Sequence, residues 1–344
     1  MPSTMEPAPP FQLAYQDSHS NTYVSSLHNV PHRWLSFIHA CYALGCFVGP
    51  LIATAIANSP SLTGAETGME GWRRVYLVLV AIGFANQVGV AAAFKDTLWS
   101  SSRLKKTAAV PRAGAAREGG SNGNGSSSGN RNSDRKHRNR TALHEMAGVL
   151  TQRALWLLSL FYFFVIGAWM TAGGWVVEFL TTVRGGDLAS VGYVPTGYYG
   201  GLLAGRLLLA EPTYRFGERR MLLVYSIICV CLQLVFWLQP NIVGSAVALS
   251  LMGFFFGPFF ATGMSVASKI FPKESQTAAL GFIFVLAQAG GALFPSITGL
   301  IAASASAGVA VLQPIVLGLI VAGAGCWWLV PTKTSLSSRT ARAE

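Results

Sequence analysis

Eight apolar runs, at residues 34–57, 75–94, 154–183, 189–210, 221–239, 242–268, 277–303 and 308–330, are divided two and six by a basic Gly/Ser/Asn-rich stretch at 97–150. A hydrocarbon core of roughly 30 Å requires about 20 apolar residues of helix, because lipid offers no partner for an unbonded backbone amide. Every run approaches or exceeds that length. Only 11% of the residues are charged, against about 25% in soluble chains. Strand-like alternation is absent, which favours helices over a β-barrel. The expected fold class is an all-α polytopic membrane protein with eight transmembrane helices.

The net charge of +11 is distributed by topology and gives no sign of a nucleic-acid partner. Basic segments at 95–153, 211–220, 269–276 and from 331 onward alternate with nearly uncharged ones, and all seven lysines lie on the basic side. Cytosolic loops carry an excess of Lys and Arg. This places the central stretch and the C-terminus in the cytosol. The expected organisation is a cytosolic segment at 1–33, two spans within 34–95, a flexible basic cytosolic loop at 96–150, six spans within 151–331 and a cytosolic tail at 332–344. The glycosylation sequons at Asn124 and Asn139 fall in the cytosolic loop, where no glycan is added.

No cleavable signal peptide is visible, so the first span serves as its own insertion signal. Cys41, Cys46, Cys229, Cys231 and Cys326 all lie inside apolar runs and read as reduced small hydrophobes. His28 and His32 have an i, i+4 spacing, but Pro31 disfavours a helix through both and no third ligand is near. No metal site or cofactor is expected. Nucleophile elbows, phosphate-cradling loops and zinc spacings are all missing, so no enzyme is expected.

Offsetting the first run by 245 residues onto the seventh matches Gly45 with Gly290, Pro50 with Pro295, Ile52 with Ile297, Ile56 with Ile301 and Ala57 with Ala302. Transporters are commonly built from such repeats, with a substrate path between the halves. Only the last two helices of a first repeat precede the loop on this reading, and the six after it form a complete second repeat. Gly45, Gly49 and Pro50, Gly257 and Pro258, and Gly290 and Pro295 are the expected helix-packing bends, where missing side chains admit a neighbour and proline removes a backbone bond.

Polar groups are costly in lipid, so those inside the runs are candidates for a substrate path. They are His39, Tyr42, Asn86, Gln87, Glu178, Thr262 and Gln288. For His39, a hydrogen bond within the bundle competes with a substrate or proton contact. Glu178 is the only acid within a run, yet it lies near the exoplasmic end, where a snorkelling carboxylate is favoured. Trp169 and Trp175 offer faces for a sugar ring, against the plainer alternative of packing.

Three stretches carry a resemblance to the major facilitator superfamily, and within it to the fungal fucose-permease-like group. HACYALGCFVGPLIATAIA with Gly71-Trp72-Arg73-Arg74 resembles the family's fifth helix and the start of its sixth. GRLLLAEPTYRFGERR resembles the cytosolic loop signature after the eighth, and GGALFPSITGLIA with LQPIVLGL resembles helices eleven and twelve. The resemblance implies a partial fold without the first four helices, whose first, third, fourth, sixth and seventh runs face a central cavity. That favours His39, Tyr42, Tyr199, Thr262 and Gln288, and demotes Asn86 and Gln87.

In the loop signature, Gly205 allows close approach and Gly217 shapes a turn. Arg206, Arg215, Arg219 and Arg220 are expected to meet Glu211 and Glu218 as a latch between conformations. The family's usual aspartate after Gly-Arg-Leu is missing. The implied function is secondary active transport of a small, sugar-like solute, coupled to a proton, in a plasma or vacuolar membrane. A chain lacking four helices should not transport alone. The competing expectation is a non-transporting remnant, a sensor or a partner-dependent membrane subunit.

Overall fold

The computed structural model describes residues 20, 21, 23, 24, 31–58, 70–93 and 148–331. Most of the central loop, with Asn124 and Asn139, and the C-terminal tail lie outside the described residues. The chain divides into two compact units, one made of Met1–Thr54 with Thr141–Glu344 and the other of Ala55–Arg140. In the second unit, helix α2 (Glu70–Ala93) carries exposed Leu77, Leu79, Val80, Ile82 and Phe84.

The first unit is an all-helical bundle among the described residues. Its elements are α1 (Pro31–Ala57, within the unit to Thr54), α3 (Arg153–Thr182), the short α4 (Leu188–Val191), α5 (Val194–Leu208), α6 (Ala210–Phe216), α7 (Glu218–Leu238), α8 (Ile242–Phe256), α9 (Phe259–Ile270), α10 (Lys273–Ser304), a 3₁₀ turn at Gly308–Val311 and α11 (Leu312–Leu329). At 1.5 Å of rise per residue, the 30 residues of α3 and the 32 of α10 are more than long enough to span. Six helical segments among the described residues have the length and composition to cross a membrane: His32–Ile56, Arg153–Thr182, Glu218–Leu238, Ile242–Ile270, Ser275–Ser304 and Gly308–Leu329.

The run expected at 189–210 is broken. The helix stops at Gly192 and Tyr193, restarts with Pro195 near its N-terminus, and leaves a 15-residue α5. Pro195 suits a helix start because it has no amide hydrogen to place. The run at 242–268 is likewise interrupted at Gly257-Pro258, between α8 and α9.

Missing side chains set the helix spacing. A Cβ on Gly205 would strike the Phe254 carbonyl, one on Gly201 the Ser250 carbonyl and one on Gly253 the Tyr198 carbonyl, so α5 and α8 touch backbone to backbone. Gly257 fits against the backbone of Gly205 and Arg206, and Gly290 of α10 fits against the Phe163 carbonyl of α3. Gly45 and Gly49 differ from this pattern, because nothing lies within 4 Å of a Cβ on either. Along α1 the close approaches come from the other side, where Gly200 meets the Phe47 ring and Gly192 meets Thr54. Thr54 Oγ1 donates to the Gly192 carbonyl at 2.9 Å. Phe161, Tyr162, Tyr198, Phe284 and Trp327 fill the fully buried core.

Candidate functional site

A cavity of about 260 Å³ lies where α1, α3, α5, α9 and α10 meet. His39, Tyr42, Trp169, Arg206, Phe260 and Gln288 are among its lining residues. A spacing of three residues, close to one turn of α1, brings His39 and Tyr42 to one face.

Arg206 is the dominant charge there. It is 2% exposed, with its guanidinium carbon 5.5 Å from the Trp169 ring centre and 5.8 Å from that of Tyr42. The two rings meet edge to face, 6.2 Å apart. Arg206 Nη1 donates to the His39 carbonyl. On its other edge, Nε is buried without a hydrogen-bond partner, as is the indole Nε1 of Trp169. The His39 ring is held in place, its Nε2 donating to Asn21 Oδ1 at 3.0 Å and its edge lying against Phe260.

Other residues expected on the path are not among those lining this cavity. Trp175 Nε1 donates to the Pro295 carbonyl at 3.1 Å, and its ring covers Gly299, so it ties α3 to α10. Pro295 lies inside α10. Tyr199 places its hydroxyl over Gly173, and Thr262 faces a separate small pocket with His32, Ser36 and Ser265. Glu178 is exposed, and its carbonyl accepts from Thr181 and Thr182.

The residues expected as a latch do not form one cluster. Glu211 accepts from Arg215 and from Arg33, each at 2.9 Å, and from His32 at 3.3 Å, joining α6 to the start of α1. The Arg215 hydrogen bond first, then those of Arg33 and His32, hold the Glu211 carboxyl down to about 2. His32 also stacks on Tyr214, with ring centres 4.0 Å apart.

Glu218 pairs with Lys269 at 2.5 Å and accepts from Ser265 at 2.6 Å, joining α7 to the end of α9. Gly217, with φ of +98°, makes the turn between α6 and α7, a conformation that glycine adopts without strain. Arg219 Nη2 donates to the Trp328 carbonyl at 2.9 Å, and Arg220 is exposed. Arg206 thus joins the cavity wall and makes no contact with either glutamate. Its position inside the apolar run 189–210, as an unpaired cation among Leu and Gly, was the signal that could have placed it among the path residues.

Arg184 is a fastening of the bundle. It donates to the Phe236 carbonyl at 2.7 Å, to Trp237 at 3.1 Å, to Ser245 Oγ at 2.6 Å and to the Gln239 carbonyl, closing the C-terminus of α7.

The first unit is thus a bundle whose helices meet through glycines around one lined cavity. Residues 158–344 match the Major Facilitator Superfamily. The chain belongs to that family, which is one of transporters and not of enzymes. It is similar to Bypass of stop codon protein 6 of Saccharomyces cerevisiae (strain ATCC 204508 / S288c), 28% identical over 164 residues. The match covers 45% of this chain, and the chain spans only 33% of that protein. The fold is that of a crystal structure of FucP, a Major Facilitator Superfamily transporter in the outward conformation, with TM-score 0.61 and 14% identity over 92% of this chain and 72% of that one.

Proposed function

We propose that this chain is part of a secondary active transporter that moves a small solute by alternating access through the cavity around Arg206. The observation that carries the reading is the joining of α1, from the first repeat, to α3, α5, α9 and α10, from the second, around one polar-lined space. Residues 151–331 act as the six-helix second half, and 34–95 supply the end of the first, with the central loop and C-terminus cytosolic. A plasma or vacuolar membrane is the proposed site of action.

A sugar-like solute is supported by the Tyr42 and Trp169 rings beside Gln288, because aromatic faces pack against the apolar side of a ring. Proton coupling would fall to His39, the titratable imidazole of the cavity.

The test is solute uptake by the full-length native protein, expressed in cells lacking their own carriers, against Trp169→Ala and Gln288→Ala. Loss of saturable uptake in both variants, at unchanged surface expression, supports the reading. A native transcript that begins at Met1, with no uptake by its product, overturns it in favour of a remnant, a sensor or a partner-dependent subunit. Collapse of uptake by a protonophore tests the coupling.

A further inference from the structure

We infer that the cavity holds a small organic anion, its carboxylate seated on the free edge of Arg206. The inference rests on the transport reading for its physiological role, but the binding site stands on geometry alone.

Arginine keeps its charge inside proteins, and a buried charge is costly unless something of opposite sign answers it. Around Arg206 the compensation is incomplete. The His39 carbonyl supplies a dipole and the Tyr42 and Trp169 faces supply quadrupoles. No carboxylate among the described residues pairs with it, the four ion pairs found there involving only Arg33, His32, Arg215 and Lys269 as cations. The cavity therefore carries a net positive charge.

The unused hydrogen-bonding capacity has a shape. Nη1 is committed to His39, while Nε is buried and unpartnered. Nε and Nη2 form the side edge of the guanidinium fork, which takes both oxygens of a carboxylate in parallel bonds. Trp169 Nε1, also buried without a partner in the same wall, is a second donor for an anion and has no acceptor capacity of its own. Two orphaned donors and a free cation describe an acceptor-only ligand.

Size and lining give the rest of the molecule. Drug-sized pockets hold roughly 300–1,000 Å³, so about 260 Å³ suits an acid of a few carbons, up to a sugar acid. Ile38, Met170, Phe260 and Ala287 would face its carbon skeleton and Gln288 its hydroxyl groups.

The experiment titrates the purified full chain, in lipid nanodiscs, with lactate, succinate and gluconate, and in parallel with lactamide, succinamide and glucose. Unfolding midpoint and tryptophan fluorescence are read together. At least one carboxylate should raise the midpoint and change the fluorescence saturably, while its neutral counterpart does neither. Arg206→Lys keeps the charge and loses the fork, and should weaken that carboxylate about tenfold or more. Trp169→Phe keeps the ring and loses the donor, and should weaken it by about two- to fivefold; this variant decides if Arg206→Lys does not fold.

Equal responses to acids and neutral counterparts, no response to any acid, or acid binding that neither variant weakens would each overturn the proposal. Uptake by the full-length protein separates the two readings. A carboxylate that binds here but is never moved sinks transport and leaves the anion site. Uptake of a neutral sugar with no carboxylate binding does the reverse.

Discussion

Arg206 and Arg215 lie nine residues apart on consecutive helices, and their surroundings are opposite. Arg215 sits at the surface, one helical turn from Glu211, in a cluster where every named charge has an opposite neighbour. Arg206 is buried with two aromatic faces, one carbonyl and an unpartnered Nε. A paired surface charge is worth little to stability, since water screens it and ordering the side chains offsets the gain. A buried, half-satisfied one is retained at a cost, so the contrast separates a fastening from a site.

The largest effect should come from disturbing what holds Arg206 in the cavity. Gly205→Val would drive a side chain into the Phe254 carbonyl and should cost on the order of 1–3 kcal/mol or more, seen as a lower unfolding midpoint and loss of any ligand response. An unchanged midpoint would mean that the contact between α5 and α8 is not what positions the cation.

Next in size, Arg206→Met should leave the ligand-free protein unchanged or stabilise it by up to about 1–4 kcal/mol, as when buried ionic groups give way to apolar isosteres. Strong destabilisation would break the comparison, because Arg206 would then be a fastening like Arg215. Trp175→Phe removes a bond to the Pro295 carbonyl outside the cavity. It should cost about 1 kcal/mol without altering solute affinity, which tests the separation of Trp175 from Trp169.

The smallest effect concerns acid. Glu211 is depressed from 4.5 to about 2, so its contribution is present in full above pH 4.5 and is lost as pH falls toward about 2. The unfolding midpoint should be even from neutral pH to about 4.5 and fall below it, and Glu211→Gln should remove that acid-dependent fall; a fall that survives the substitution would place the titrating group elsewhere.

Much of the fold was legible because length and polarity are properties of a run. The helices of α1, α3, α7, α10 and α11 follow the apolar runs closely, and the all-α membrane class required nothing more. The break at Gly192 was less legible, since a glycine inside an apolar run is as easily packing as a turn. Gly45 and Gly49 have the same spelling as Gly201 and Gly205, yet only the second pair meets a neighbour within 4 Å.

At the site, His39, Tyr42, Trp169 and Gln288 were named as path residues from polarity and resemblance, and they line one cavity in the structure. Tyr199, Thr262, Trp175 and Glu178 were named on the same grounds and are not among its lining residues. Arg206 was assigned to the loop with its three neighbouring arginines, because a linear motif gives no measure of depth.

The amino-acid sequence by itself determined that the chain is a helical membrane protein, where its polar interruptions fall and which residues are too polar to face lipid. Those follow from the transfer of each side chain and backbone amide out of water, which is local and roughly additive. Only the tertiary structure decided which polar groups meet. Whether Arg206 faces Glu211 or Trp169 depends on how close α5 lies to α8 and where α1 crosses them, and that is set by backbone contacts at Gly201, Gly205 and Gly253 between residues far apart in the chain.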